Sequence, residues 1–497
     1  MEENRQEKQA YRQVFNTTFI FGGVQVFTIL IALIRNKFVA VLLGPSGSGF
    51  MNMLNINIGF VAMLTGLGIG FSAVRDISIA FEANDQIKLS TTLKTFRRWV
   101  WFTGLLGMIT IIVLSSWLNK LSFGNQNYTW AFLLISVTLL INAISTGQST
   151  VLKGTRRVQD MAKAGIWGTA LGLVASVPFY YFYGISGVVP AAIVTSFFGL
   201  FISWYYSRKV KTVPVKLSYK DSYVQGKEMA KMGIMLTLHF LIGYVVTLSV
   251  NAYISHRGDI AQVGLYNSGW NITNQYVGLV FTAMNMDYYP RLAGVYTDNL
   301  KIKGMVNQQA EIAVLIVAPI MLFFLISLPI LVPLLYTKEY LSIIPFTQWM
   351  VIGMLFKAAS WTLTFIALAK GDTKFYFWFE SILGNSILLI TCISGYYFWG
   401  LEGIGVAFLV NNVLYFTALV FLCKKRYNVN FTNTFLKIFI VQQLFCLIAF
   451  LFAHLFKSST GYIFGGILLI ISSLYSYKEL NMRIDIKEFI LSKIRRK

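Results

Sequence analysis

Charged residues are scarce in this sequence of 497 residues: 12% of them are charged, whereas 56% are hydrophobic. A soluble domain usually has about 25% charged residues. Apolar runs of about 20 residues, long enough to cross about 30 Å of hydrocarbon, recur from one end of the chain to the other. Because no stretch of 100 residues lacks such a run, we expect an integral membrane protein without a separate soluble domain.

Cysteine and histidine are rare as well, with three of each. Cys392, Cys423 and Cys446 lie in or at the edge of apolar runs and form no C-x-x-C pair, and the histidines have no metal-ligand spacing. We therefore expect no metal site, no disulfide and no bound cofactor.

About fourteen transmembrane helices are predicted from the apolar runs, so the predicted fold class is all-α and integral to the membrane. The predicted spans cover residues 15–43, 48–74, 99–118, 129–152, 161–183, 187–207, 233–255, 262–288, 312–336, 345–369, 374–399, 402–423, 434–456 and 461–478.

The basic residues give these predicted helices a direction. The chain carries 42 Lys and Arg against 20 Asp and Glu. Because the bases sit in short clusters between apolar runs, the positive-inside rule explains them better than nucleic-acid binding does. With the N-terminus inside, the outer loops contain only Lys120, Arg257, Lys338 and Lys457. We therefore expect a multi-pass protein with both termini in the cytoplasm and no nucleic-acid partner.

Two halves of the sequence repeat at an offset of about 216 residues. Residues 152–155 resemble residues 369–372, and residues 180–188 resemble residues 396–404. Each half holds six predicted spans, and an even number of spans makes the repeats parallel. Transporters built from parallel repeats bind their substrate between the halves, which rock against each other.

The duplication also predicts the domain organisation. We expect an N-lobe of six spans over residues 1–210, a cytoplasmic linker over 211–232 and a C-lobe of six spans over 233–425. Residues 426–497 then form two extra spans and a basic cytoplasmic tail.

Three basic residues lie inside predicted spans: Arg35, Lys37 and Lys357. A charge at the bilayer centre costs roughly 2.5–3.5 kcal/mol by insertion scales, so it usually faces a wet cavity or a partner. Arg35 and Lys37 lie in the outer half of a long run, from which they could also snorkel outward. Lys357 lies near the middle of its span, where it pairs with a carboxylate, binds an anion or joins a proton relay.

The candidate carboxylates are Glu380, Asp287 and, at the start of the ninth span, Glu311, and the first two are the candidates for such roles. Glu380 lies well inside the eleventh predicted span, whereas Asp287 lies near the inner end of the eighth. Two interpretations stay open for them: a charge partner of Lys357, or a site that couples transport to protons or Na⁺.

Residues 44–49 read Gly-Pro-Ser-Gly-Ser-Gly. They do not form a phosphate loop, because no Gly-Lys-Ser/Thr follows. Gly and Pro instead predict a tight outer turn between the first two spans.

Residues 37–49 resemble the first-span signature of Wzx-type O-antigen flippases, in which a basic residue, an alanine three positions on and Gly-Pro-x-Gly-x-Gly have this spacing. Residues 264–266 and 289–292 look like the eighth span of that family. The resemblance extends over roughly residues 11–425. It implies the fold of the multidrug/oligosaccharidyl-lipid/polysaccharide (MOP) exporter superfamily, in which two six-helix lobes form a V.

The resemblance carries two residues over by position. Lys37 matches the basic residue of the family's first span, and Arg35 stands where the related lipid II flippases have a cavity arginine. The last two predicted helices depart from the twelve-helix members of the superfamily.

The function that the resemblance implies is a flippase of the bacterial inner membrane. It would move an undecaprenyl-diphosphate-linked oligosaccharide from the inner to the outer leaflet by alternating access, for O-antigen or a similar surface polysaccharide. A diphosphate is anionic and needs positively charged partners, which are available at Arg35, Lys37 and Lys357. Membrane lipids and a polysaccharide polymerase are the other expected partners.

A cation-coupled multidrug exporter of the same fold is the alternative. Such exporters often use acidic residues in the helices of the N-lobe, whereas Arg35 and Lys37 are basic. An enzyme, such as a polymerase or ligase, is not expected because the predicted outer loops are short.

Overall fold

The structure is a computed structural model that describes residues 2–455 and 459–484. Side chains are described from residue 30 onward, except at residues 158, 232, 235, 236, 275–277, 279, 282, 283, 285–287, 290, 454–460, 462, 483 and 484. Within these ranges the chain is helical and contains no strand, which confirms the predicted all-α fold class.

The helices are α1 (Glu2–Thr65), α2 (Ile69–Glu82), α3 (Gln86–Phe123), α4 (Thr129–Gly154), α5 (Val158–Tyr183), α6 (Val188–Ser207), α7 (Tyr219–Arg257), α8 (Ile260–Ala293), α9 (Asn299–Leu335), α10 (Ile343–Ala369), α11 (Thr373–Tyr376), α12 (Asn385–Tyr427), α13 (Asn433–Leu455) and α14 (Ser459–Ile484). A π-helical stretch, Phe377–Gly384, joins α11 to α12.

Ten helical stretches in the described ranges are long and apolar enough to cross a membrane. Two of them, Gln159–Ser207 and Thr373–Tyr427, are 49 and 55 residues long. Because about 20 helical residues cross a bilayer, each of these two has the length of two spans. The chain is therefore a multi-pass membrane protein, as predicted.

The chain divides into two compact units, Met1–Gly264 and Leu265–Lys497. In the first unit, α7 packs against α1, α2 and α3, and α4 packs against α3 and α6. In the second unit, α9 packs against α10, α13 and α14. The predicted boundaries of the lobes and the linker stay predictions.

The two long stretches reverse direction at equivalent glycines. Gly184 has φ 54° between α5 and α6, and Gly400 has φ 59° inside α12. At the first reversal, a Cβ on Gly187 would lie 2.1 Å from the carbonyl oxygen of Phe179. At the second, a Cβ on Gly403 would lie 1.9 Å from that of Gly395. Gly400, Gly403 and Gly395 follow Gly184, Gly187 and Phe179 at the offset of about 216 residues at which the two sequence segments match. The duplicated segments therefore fold into the same tight helical reversal.

The other pair of duplicated segments, residues 152–155 and 369–372, aligns differently in the structure than in the sequence. After α4, the amide of Arg157 donates to the carbonyl of Leu152 at 2.9 Å; after α10, the amide of Asp372 donates to that of Ala367, also at 2.9 Å. The left-handed residue of each turn is Arg156 in the first case and Gly371 in the second. The turn residue equivalent to Gly371 is therefore Arg156, and not Gly154, because backbone geometry and not residue type defines this helix end.

The predicted turn over residues 44–49 is a kink at Gly44 in the structure, and residues 45–49 are helical. Gly44 interrupts α1 with φ 64° and ψ −170°, a conformation that glycine adopts without a steric penalty, and Pro45 lies directly behind it. Gly49 and Gly264 then let α1 and α8 cross closely. A Cβ on Gly49 would lie 1.8 Å from the carbonyl oxygen of Ile260, and one on Gly264 would lie 2.1 Å from that of Pro45.

The prediction of one continuous span over residues 48–74 is wrong. Helix α1 ends at Thr65 and α2 begins at Ile69. Between them, Leu67 and Gly68 have φ values of 48° and 60°. A Cβ on Gly68 would lie 2.2 Å from the carbonyl oxygen of Gly233, so the break occurs where α7 passes this backbone.

The two additional helices, α13 and α14, belong to the second unit and pack on α9. Gln442 of α13 joins them: its amide donates to Ser476 at 2.8 Å, and its carbonyl oxygen accepts from Ser472 at 2.6 Å. All three side chains are buried. These hydrogen bonds fix the rotation of α14 against α13, because an unpaired amide would be costly in hydrocarbon.

The crossing of α1 and α8 gives the first testable prediction. We expect Gly49→Ala to destabilise the protein by about 1–3 kcal/mol, because the added methyl meets backbone that cannot change rotamer. The loss is to be measured as a lower midpoint of thermal unfolding in detergent.

Gly243→Ala is the matched control. A Cβ on Gly243 of α7 would meet nothing within 4 Å, and alanine is the better helix former by up to about 1 kcal/mol. Equal unfolding midpoints for the two variants would show that α1 and α8 do not need the close approach.

Candidate functional site

Arg35 and Lys37 both lie on α1 in the first unit, before the kink at Gly44, and both are partly buried. The guanidinium of Arg35 interacts electrostatically with Tyr180, a buried residue of α5. Two positions apart on a helix differ by about 200° around the axis, so the two bases point in different directions. The two side chains therefore do not bind the same anion together.

Lys357 lies on α10 in the second unit and is partly buried. Its Nζ donates a hydrogen bond of 2.7 Å to Oδ1 of Asn274 on α8, and it lies 5.8 Å from the centre of the Phe408 ring. Among the described side chains, Lys357 forms no ion pair. Its partners are thus a neutral amide and an aromatic face, which stabilise the ammonium without cancelling its charge.

Glu380 has a separate environment in the second unit. It lies in the π-helical stretch and accepts a hydrogen bond from the hydroxyl of Tyr415 on α12. That hydroxyl lies 3.3 Å from Oγ1 of Thr364 on α10. Such π-helical stretches are rare and occur frequently at functional sites.

Glu380 is therefore not the charge partner of Lys357 in this structure. The reason is axial position: Glu380 lies at the level of Thr364, about two helical turns or roughly 10 Å beyond Lys357 on α10. The side chain of Asp287 lies outside the described residues. The coupling role of both carboxylates stays a prediction.

A cavity of about 380 Å³ lies within the first unit, between α1, α2, α3, α4 and α7. One side of it is a polar stripe on α4, formed by Asn142, Thr146, Thr150 and Lys153. Lys153 is the only Lys, Arg, Asp or Glu among the described residues that line this cavity. Neither Arg35 nor Lys37 lines it.

This cavity is not among the sites predicted from the sequence, although the sequence contains a signal for it. Asn142, Thr146, Thr150 and Lys153 follow one another at intervals of four, four and three residues, which places them on one helix face. Within an apolar run, such a polar stripe marks a surface that faces protein or water rather than lipid. The sites predicted from charge alone are divided between the two units, with Arg35 and Lys37 in one and Lys357 in the other.

Comparison with known proteins identifies related families and folds. The sequence model of the family described as polysaccharide biosynthesis protein matches residues 38–345. No curated protein sequence matches the chain at a significant level.

Solved structures with the same fold include the lipid II flippase MurJ in an inward closed conformation, with a TM-score of 0.69, 13% identity and coverage of 94% of this chain and 99% of MurJ. An inward-facing multidrug resistance MATE family transporter of the MOP superfamily has a TM-score of 0.66 and 15% identity, with coverage of 81% and 94%. A MOP superfamily transporter from Pyrococcus furiosus, described as having a binding pocket of reverse polarity, has a TM-score of 0.57 and 16% identity, with coverage of 83% and 94%. These matches confirm the fold of the MOP superfamily.

The bond between Lys357 and Asn274 gives the second prediction. We expect Asn274→Leu to cost about 1–3 kcal/mol, because the buried ammonium then loses its hydrogen-bond acceptor. The measurement is the thermal unfolding midpoint in detergent for Asn274→Leu, Lys357→Met and the double variant.

In the double variant both partners are apolar, so we expect it to be less destabilised than the sum of the single variants by about 0.5–3 kcal/mol. Strictly additive effects would mean that the two side chains do not interact in the folded protein.

Proposed function

Because this chain belongs to the polysaccharide biosynthesis protein family, we propose that it is a flippase for a lipid-linked oligosaccharide. The substrate is an undecaprenyl-diphosphate-linked glycan, which the protein moves from the inner to the outer leaflet by alternating access. No covalent bond of the substrate is made or broken in this process. The product supplies O-antigen or a similar surface polysaccharide.

The observation that carries this proposal is the charge of Lys357 inside the membrane. Its hydrogen-bond acceptor is the neutral amide of Asn274, at 2.7 Å. An ammonium with a carboxylate partner would be electrically neutral as a pair, whereas the ammonium of Lys357 has no neutralising carboxylate among the described residues. Such a charge attracts an anion strongly, and a diphosphate is the anionic part of the proposed substrate.

Arg35 and Lys37 add positive charge to the first unit. A guanidinium presents several N–H donors in a fork that matches phosphate oxygens, so Arg35 is the better of the two for a diphosphate. Family membership, the bases in both units and the neutral partner of Lys357 support the same class of substrate.

The cavity in the first unit favours the flippase over the alternative function, a multidrug exporter. Organic cations need a carboxylate or an aromatic cage for recognition. Lys153 is the charged residue in the described lining of that cavity, and its positive charge repels a cation. The resemblance to MurJ, described as a lipid II flippase, supports a lipid-linked substrate, whereas the resemblance to MATE transporters supports the fold alone.

We place the protein in the bacterial inner membrane, with both termini in the cytoplasm, on the basis of the distribution of Lys and Arg. A polysaccharide polymerase is the enzyme class that consumes the translocated glycan on the outer side, and it is the proposed functional partner.

Glu380 is the residue that we propose for coupling transport to a gradient of protons or Na⁺. Its carboxylate has a hydroxyl donor, Tyr415, and no described basic partner. Without a basic partner, such a carboxylate is neutralised when it takes up a proton, or forms a neutral pair with a bound Na⁺ ion. A basic partner would compete with either ion.

The cationic residues give the third prediction. We expect Arg35→Ala and Lys357→Ala each to lower surface polysaccharide at least about tenfold, because one charge-assisted hydrogen bond contributes about 1.5–3 kcal/mol. The measurements are the amount of surface polymer and the amount of lipid-linked oligosaccharide that accumulates in the cell, at equal protein level in the membrane.

Lys338→Ala is the matched control, since Lys338 is an exposed base in a short outer turn. It removes the same charge without touching a proposed site, and we expect normal polymer. Normal polymer in both test variants would refute the cationic binding site.

Glu380 gives the fourth prediction. In proteoliposomes, we expect an imposed proton or Na⁺ gradient to accelerate translocation by the wild type and to leave Glu380→Gln unaffected, because the amide cannot change its charge. Imposing the two gradients separately identifies the coupling ion.

The control for this variant is Glu339→Gln, which changes an exposed carboxylate in the same unit and leaves acceleration intact. If Glu380→Gln keeps the full acceleration by the gradient, Glu380 is not the coupling residue.

A further inference from the structure

A cluster of bases in the first unit has no part in the proposed transport site. Lys94, Arg97 and Arg98 lie on α3, close to the start of its apolar stretch. Together with residues 212–215 and the beginning of α7, they line a cavity of about 730 Å³.

The segment between α6 and α7 forms one wall of this cavity because α3 holds it by hydrogen bonds. Nζ of Lys94 donates to the carbonyl of Val215 at 2.7 Å. Arg98 donates to the carbonyls of Ser218 and Leu217 at 3.0 and 3.1 Å. These acceptors are neutral, so the two side chains fix the wall, and neither forms an ion pair with another described residue.

Arg97 lies between this cavity and a second one of about 660 Å³, which extends along α4 and α6 to Arg208. Arg97, Trp101 and Thr212 line both cavities. Nε of Arg97 is buried and has no hydrogen-bond partner in the part of the chain that the structure describes. A buried donor without an acceptor is costly, so its acceptor comes from whatever fills the cavity, water or a bound ligand.

The charge around Arg97 is of one sign. The two linings together contain Lys94, Arg97, Arg98 and Arg208, and neither described lining includes an Asp or Glu. Guanidinium groups bind phosphate through two parallel hydrogen bonds. The polar end of this double cavity is therefore suited to a phosphate group.

The other end of the double cavity is apolar and open. Trp101 and Phe102 on α3 are 56% and 55% exposed, and Phe197 and Phe201 on α6 are 62% and 54% exposed. In a membrane-spanning helix, exposed aromatic side chains contact lipid tails, and Trp and Tyr mark the level of the headgroups. Charge at one end and exposed apolar surface at the other match an amphipathic molecule better than a soluble phosphate.

We propose that this double cavity binds an anionic phospholipid of the cytoplasmic leaflet. Arg97 and Arg208 hold the headgroup phosphate, and the acyl chains lie along Trp101, Phe102, Phe197 and Phe201. Anionic lipids concentrate in that leaflet and attract bases close to the membrane surface. The bound lipid holds the segment between α6 and α7 against α3, and it is distinct from the transported glycan.

The test measures lipid binding to the full-length protein by native mass spectrometry in detergent, with phosphatidylglycerol and phosphatidylcholine of the same acyl chains. We expect the wild type to bind phosphatidylglycerol more tightly. Arg97→Gln should weaken this binding at least about tenfold, the equivalent of one charge-assisted bond. Arg97→Lys keeps the charge but loses the forked guanidinium group. Its affinity for phosphatidylglycerol should therefore lie between those of the wild type and Arg97→Gln.

Lys88→Gln is the matched control. Lys88 is an exposed base on the same helix and lines neither cavity, so its loss should change binding less than twofold. Arg208→Gln is a second test variant from the other side of the site, and thermal unfolding shows that each variant is folded.

Three results would overturn the proposal: unchanged phosphatidylglycerol binding in both Arg97→Gln and Arg208→Gln, an equal loss in Lys88→Gln, or equal binding of the two lipids by the wild type. A further arm uses inorganic diphosphate without lipid. If it binds the wild type as tightly as phosphatidylglycerol and depends on Arg97 in the same way, the site accepts a soluble phosphate and the lipid assignment is wrong.

Discussion

Inside a bilayer every backbone N–H and C=O must find a partner within the protein, and the positions where this chain turns follow from that requirement. A helix that ends in hydrocarbon would leave several such groups unpaired, so the reversals occur within very few residues. Gly184 and Gly400 each take a positive φ at a reversal, and Gly44 takes one at the kink in α1. Glycine adopts this conformation without a steric penalty, and its missing side chain lets the two helices meet directly behind the turn.

The same requirement explains which parts of the fold could be predicted from the sequence. Span positions follow from the length of apolar runs, and the reversals at Gly184 and Gly400 lie between predicted spans because polar or small residues mark them. The break between α1 and α2 coincides with the glycines at positions 66, 68 and 70, a local signal that the apolar run alone does not reveal. It depends on the approach of Gly233 on a helix more than a hundred residues away, a contact that no local pattern encodes.

The candidate site was predictable in its charges but not in its contacts. Lys357 and Glu380 stand out in the sequence because ionisable residues are rare in apolar runs. Their partners, Asn274 and Tyr415, are uncharged residues in helices where polar and aromatic side chains are common, and only the packing of α8 and α12 against α10 selects them. Sequence spacing within a single helix cannot supply that information.

The separation of Lys357 from Glu380 has a physical consequence for transport. Two opposite charges in direct contact would stabilise each other, and changing either one would then cost the energy of the pair. Here the ammonium is held by Asn274 and the carboxylate by Tyr415, at levels roughly 10 Å apart along α10. Each group has a polar partner of its own, and under the proposed function an anion binds at Lys357 and a proton or Na⁺ at Glu380. Lys357 lies on α10, and Tyr415, the partner of Glu380, contacts Thr364 of the same helix, so the proposed coupling between a substrate and an ion would pass through α10.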